Sequence, residues 1–363
     1  MYKFIKNYFI ENDHYINQRY IETQVEDLVV GHIVNIEYKE FIEKSGVELY
    51  VSDYFDEIKL RADFCIHLLE NYFSADESEN KARFKSLHKG TPYYFIALGR
   101  LLDRDYEGFG YYMDMAVVQD NKNMNLENRP EASAAERAFL GFNEYPPQFR
   151  IDNKINEYIF GQIVNMFTVY KDSSPESLLS IIDFKNKFVI SNLRNKDNPY
   201  HSIVSSFYSW IHECQYLVWL LNITPIEQNT LGSMEPYYLH LAKGALILES
   251  IGKMIIHKKS GVMCNCTLGK ILNDYLNNDL FKSRQNINQF FENGKIETLD
   301  ELLKYILTHE SFDRVIIFKI ILTIRNTASH SLNWNAAMDF EKTQKDLYHI
   351  MAHAIFAMIE IIP

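Results

Sequence analysis

Cysteine is scarce in this chain. There are four among 363 residues, scattered apart from the CNC at Cys264 and Cys266. That pattern suits a reducing cytoplasm better than a disulfide framework. Long uninterrupted apolar runs are missing too. The longest candidate, VIIFKIILTI (Val315–Ile324), is broken by Lys319 and too short for a bilayer, so no membrane partner is expected. The opening residues, MYKFIKNYFIENDHY, lack the apolar core and small-residue cleavage site of a secretory signal, and a cytoplasmic location is expected.

No P-loop, GxGxxG, GxSxG or HExxH is present. Their absence removes the commonest nucleotide-hydrolysing, dehydrogenase, serine-hydrolase and zinc-protease readings. Matched pairs of metal ligands are lacking as well. His212 and Cys214 in WIHECQ stand two apart on a helical stretch, hence on different faces, and the CNC has no second pair. No metal and no cofactor is expected.

Positive charge is in deficit, with a formal net charge of −11. Residues 231–363 carry 14 basic and 14 acidic side chains, which leaves 23 basic and 34 acidic before them. The acidity is therefore all in the first 230 residues. A chain of that balance repels phosphate backbones at long range and is no general nucleic-acid binder, although the neutral C-terminal part has room for a local site.

What the chain does have is apolar material, 47% hydrophobic and 14% aromatic, enough for a sizeable core without staples. The C-terminal part is the most regular. Leu241, Ala245, Leu248, Ile251 and Ile255 recur every three or four residues along SMEPYYLHLAKGALILESIGKMIIHKKSG, which Ser233 and Pro236 open and Gly261 stops. A shorter helix follows Thr267, and TLDELLKYILTHE opens with Thr298 and Glu301 in capping-box spacing. The next helix starts at Ser311 or Phe312 and is apolar nearly all round, which predicts a central place in a bundle. A final stripe runs through Phe340, Leu347, Met351, Ala354 and Met358.

The first 200 residues are less regular. FDEIKLRADFCIHLLENYFS and TPYYFIALGRLLDRDYEGFGYYMDMAVVQD predict helices, whereas LVVGHIVNIEY and GVELYVSD alternate enough to admit short strands. The segment around Tyr93–Tyr112 resembles a degenerate tetratricopeptide-type helix pair. Phe109 sits where that repeat wants a small residue, and no second copy follows at a period near 34. The expectation is an all-α chain: an acidic, mainly helical regulatory or interaction domain over 1–200, then a helical bundle over 201–363.

Three strings place an arginine shortly before a histidine. RNKDNPYH (Arg194 to His201) holds Asp197, Asn198 and Pro199 and reads as a turn, no platform for paired chemistry. RFKSLH (Arg83 to His88) lies in a charged stretch and reads as a solvated helix face. RNTASH (Arg325 to His330) ends the strongly apolar helix and contains the small residues Thr327, Ala328 and Ser329. In a helix Asn326 and His330 share a face, while Arg325 and His330 diverge by about 140°. A shared cleft then needs a bent helix end or a symmetry mate.

An all-helical bundle bearing Arg325, Asn326 and His330 in this order resembles the higher-eukaryote and prokaryote nucleotide-binding (HEPN) superfamily, over roughly residues 205–363. Its motif is an arginine, a polar residue directly after it, and a histidine four to six residues further on. The N-terminal part departs from the α/β nucleotide-sensing domains fused to some members.

The resemblance implies a homodimeric, metal-independent endoribonuclease with RNA as substrate and Arg325, Asn326 and His330 as catalytic residues, in stress, toxin–antitoxin or antiviral defence. A protein partner or antitoxin would dock on the N-terminal helices. The alternative is a non-catalytic helical interaction or adaptor protein, in which Arg325 caps the carbonyls of its own helix.

Overall fold

The computed structural model describes residues 2–22, 29–47, 53–72, 88–123, 133–142, 150–195, 197–223, 231–282, 299–309, 312–328 and 337–363. Among these the chain is all-α, with no strand. It divides into two compact units, Met1–Ile159 with Leu193–His201, and Phe160–Asn192 with Ser202–Pro363. The C-terminal unit thus takes in residues 160–192 in addition to the bundle expected from residue 201.

The first unit contains the helices Tyr2–Glu22, Val29–Ser45, Tyr54–Tyr72, Gly90–Leu102, Tyr106–Asn123 and Ala134–Leu140, and the beginning of Arg150–Ser173. From Val29 on, LVVGHIVNIEY falls in the helix Val29–Ser45, so the strand alternative fails there. Burying Val34, Tyr38 and Phe41 against other helices outweighs the β-branched composition of the segment. Of GVELYVSD, residues 48–52 lie outside the described residues.

Aromatic rings make this core. Phe64 packs on Phe9 and Phe41 with centroids 5.0 and 5.3 Å away, and Tyr8 meets Phe41 edge-on at 5.4 Å. The Tyr8 hydroxyl donates to buried Glu37 at 3.1 Å. Residues 90–123 form the expected helical hairpin. Asp105 caps its second helix by accepting from the Gly108 N–H at 2.8 Å, and Phe109 is fully buried.

In the second unit the helix Leu231–Ser260 is the spine. It contacts Ser202–Ile223, Arg314–Ala328 and Ala337–Glu360. Its expected stripe, Leu241, Ala245, Leu248, Ile251 and Ile255, is buried throughout. Two glycines let neighbours approach the backbone. A methyl at Gly244 would stand 2.8 Å from Met351 and 2.9 Å from Trp210, and one at Gly252 would stand 2.7 Å from Ile271. The spine begins at Leu231, so Pro236 lies inside it. There the missing proline N–H forfeits one backbone bond near the start of the helix.

The helix Arg314–Ala328, hereafter the arginine helix, is buried on all sides from Ile320 to Ile324, as its composition predicts. Its cap is Asp313, whose carboxylate accepts from the Ile316 N–H at 2.9 Å. Sequence placed that start at Ser311 or Phe312; Asp313 has the side-chain acceptor that reaches the first turn. Leu347, Met351, Ala354 and Met358 of the last helix are buried as expected, while the Phe340 side chain and Thr298 lie outside what is described.

Candidate functional site

Both ends of the arginine helix are held by glutamates. At its start, Arg314 Nη2 stands 3.2 Å from Glu360, which also accepts from the Tyr170 and Ser177 hydroxyls and from the Leu178 N–H at 2.8 Å. Burial pushes the Glu360 carboxyl up, but the Leu178 N–H and the Arg314 guanidinium outweigh it and hold the group below its ordinary value. At the other end, Arg325 Nε stands 3.3 Å from Glu249 Oε2.

Glu249 projects from the spine and is 7% exposed. Its Oε2 also accepts from the Leu268 N–H at 3.2 Å, and its Oε1 pairs with Lys253 at 2.8 Å. One carboxylate thus joins the spine, the turn beginning at Leu268 and the last turn of the arginine helix. A buried carboxylate is tolerable only with such partners.

Arg325 keeps 27% of its side chain exposed, and Asn326 next to it is exposed. The arginine helix ends at Ala328. His330, the third candidate residue, and Ser329 lie outside the described residues. Arg325 and Asn326 therefore sit together at the margin of a packed core, a place where a guanidinium can meet an anion from solvent without desolvating an unpaired charge.

The two other arginine–histidine strings behave differently. His88 is not on a solvated face: it is 9% exposed and its Nε2 lies 2.9 Å from Asp120 Oδ1, itself buried. A methyl at Gly90 would run into that carboxylate, so the pair is sealed. Arg83 lies outside the described residues. RNKDNPYH is a turn as expected. Its Arg194 pairs with Glu136 at 2.5 Å, and its His201 stands 3.6 Å from Asp114, whose hydrogen bond raises the imidazole pKa.

His212 and Cys214 are buried on the helix Ser202–Ile223, and burial pushes the Cys214 thiol up. Cys264 and Cys266 are joined as a disulfide. A bridge across one intervening residue closes almost no loop, so it constrains the unfolded chain far less than a framework disulfide does. Among the described residues no group of three or more metal-ligating side chains converges. No helix among them is long and apolar enough to cross a membrane. A cavity of about 240 Å³ lies among Gln215, Trp219, Tyr348 and His349, and neither Arg325 nor Asn326 lines it.

Sequence reasoning missed Glu249. The available signal was the pair Glu249 and Lys253, four apart in ESIGK on an otherwise apolar helix. No family model matches the chain, and no curated protein or solved structure is detectably similar to it.

Proposed function

We propose that this protein is a metal-independent endoribonuclease of the HEPN type, working as a homodimer in stress, toxin–antitoxin or antiviral defence. The observation that carries the reading is Arg325 with Asn326, half-exposed at the rim of an apolar core on a helix clamped at both ends. In this reading Arg325 binds the scissile phosphate and stabilises charge developing on its oxygens. Asn326 orients the reacting groups. His330 takes the proton from the ribose 2′-OH as that oxygen attacks phosphorus, and a histidine returns a proton to the departing 5′-oxygen. The products are a 2′,3′-cyclic phosphate and a 5′-hydroxyl. DNA, without the 2′-OH, is not cut. The helical N-terminal unit, with its tetratricopeptide-like hairpin, serves as regulator or docking surface for a partner or antitoxin.

One observation favours a second reading, a non-catalytic interaction protein. The Arg325–Glu249 pair ties three elements together and gives the arginine a structural use of its own. The two readings separate on RNA incubated in EDTA. The ribonuclease reading expects cleavage by the wild type and none by Arg325→Ala or His330→Ala. Equal cleavage by both variants would sink it. A wild type that cuts no RNA, with cellular function kept in both variants and lost on disrupting the Tyr93–Tyr112 hairpin, would establish the second.

A further inference from the structure

We infer that Glu249 is a positioning residue for Arg325, acting on the reaction through the guanidinium rather than by touching RNA; this rests on the ribonuclease reading above. The contact runs from Arg325 Nε to Glu249 Oε2 at 3.3 Å. Nε is the guanidinium nitrogen nearest the stem, so an acceptor there fixes the plane of the group and the direction in which its terminal nitrogens point. A flexible arginine pays rotamer entropy for each phosphate it grips. One whose plane is already fixed loses less, and it meets the phosphate in the orientation the transition state needs.

Glu249 is itself immobilised, which a positioning residue requires. Burial limits its rotamers, and the Leu268 N–H shares Oε2 with Arg325 while Lys253 holds Oε1. Lys253 stands one turn on in the same helix and Leu268 on another element, so the carboxylate has attachments independent of the arginine. The helix that carries Arg325 is also clamped 11 residues earlier by Arg314 on Glu360, so its terminal turn has a fixed origin. Asp or Glu placed merely to balance charge needs no such support, and the exposed Lys39–Glu43 pair in the first unit is an example.

The test is single-turnover cleavage of a ribo-oligonucleotide in EDTA by the full chain, with a melting temperature for every variant. Glu249→Gln keeps shape and an acceptor oxygen but loses the charge, and the cleavage rate constant should fall roughly 10–100-fold. Lys259→Met removes the partner of Asp279, a half-exposed pair that touches neither Glu249 nor Arg325, and should leave the rate within about threefold. In an Arg325→Lys background, where no Nε exists, Glu249→Gln should cost less than about threefold, because non-additivity is the mark of coupled residues.

Full wild-type rate in Glu249→Gln overturns the inference and leaves the ribonuclease reading standing. So does an equal loss in Lys259→Met, or an undiminished loss in the Arg325→Lys background. If Glu249→Gln does not fold, Glu249→Asp, which keeps the charge and shortens the reach, carries the same expectation. A wild type that leaves the RNA intact removes both the inference and the reading beneath it, and is told apart by the missing signal in the control.

Discussion

His88 with Asp120 in the first unit and Arg325 with Glu249 in the second are both polar pairs that link residues far apart in the chain. They come from strings of identical arginine-to-histidine spacing, RFKSLH and RNTASH. The first pair is buried at both ends and sealed by Gly90. The second has a buried carboxylate and an arginine open to solvent. A sealed pair stabilises the fold and meets no ligand. A pair with one end open can hold a cationic group at a fixed place where an anion can reach it. Access, not spacing, separates the two.

The units also differ in how their cores are made. Rings of Tyr8, Phe9, Phe41 and Phe64 fill the first, with Glu37 as a buried acceptor. The second is more aliphatic and is threaded by imidazoles in hydrogen-bonded settings. The largest predicted effect lies there. Trp210 is fully buried, lies parallel to the His240 ring at 5.2 Å and donates through Nε1 to the His240 carbonyl, while His240 Nε2 donates back to the Trp210 carbonyl. Trp210→Ala should cost about 3–5 kcal/mol, read from denaturant unfolding.

Next comes the sealed pair. Asp120→Ala strands His88 in the interior and should cost about 3 kcal/mol, with RNA cleavage unaltered. If cleavage falls with it beyond what the stability loss explains, the contrast drawn between the two pairs breaks.

Acid should act on the second unit through its histidines. Burial, with Lys243 nearby, brings His240 down to about 3, and burial, with Arg314, brings His353 down to about 4, against an ordinary value of 6.5. His240 Nδ1 has no hydrogen-bond partner among the described residues, so a proton there would be buried without an acceptor. Below pH 6.5 the unfolded chain binds protons that the folded unit refuses. Stability is therefore full above about pH 6.5 and declines as pH falls toward 4 and 3, by on the order of 1–3 kcal/mol for each histidine. His353→Gln should flatten part of the melting-temperature profile in that window, and an unchanged profile would contradict the assignment. The smallest effect is at Gly261, which ends the spine at φ +71°. Gly261→Ala should cost about 1 kcal/mol by the same unfolding assay.

Local pattern made much of this fold legible. The period of Leu241, Ala245, Leu248, Ile251 and Ile255 gave the spine its face, and Gly261 its end, because both are set within a few turns of chain. The partners of the polar residues were not legible. Glu249 reaches Arg325 across 76 residues and Asp120 reaches His88 across 32, distances over which only helix packing decides who meets whom. Val29–Ser45 was ambiguous because tertiary burial overrode a weak alternation. Of the candidate site, sequence supplied Arg325 and Asn326 at a helix end. It did not supply the carboxylate that holds the arginine.

The most direct test is cleavage of RNA in EDTA by wild type, Arg325→Ala and Asp120→Ala, with the melting temperature of each. Arg325 is partly exposed, and Glu249 keeps Lys253 and the Leu268 N–H without it, so its loss should cost about 1–3 kcal/mol of stability. Arg325→Ala should keep its fold and lose cleavage, so that 2′,3′-cyclic phosphate ends appear only in the wild-type and Asp120→Ala digests. Cleavage by Arg325→Ala at the wild-type rate would contradict the ribonuclease reading.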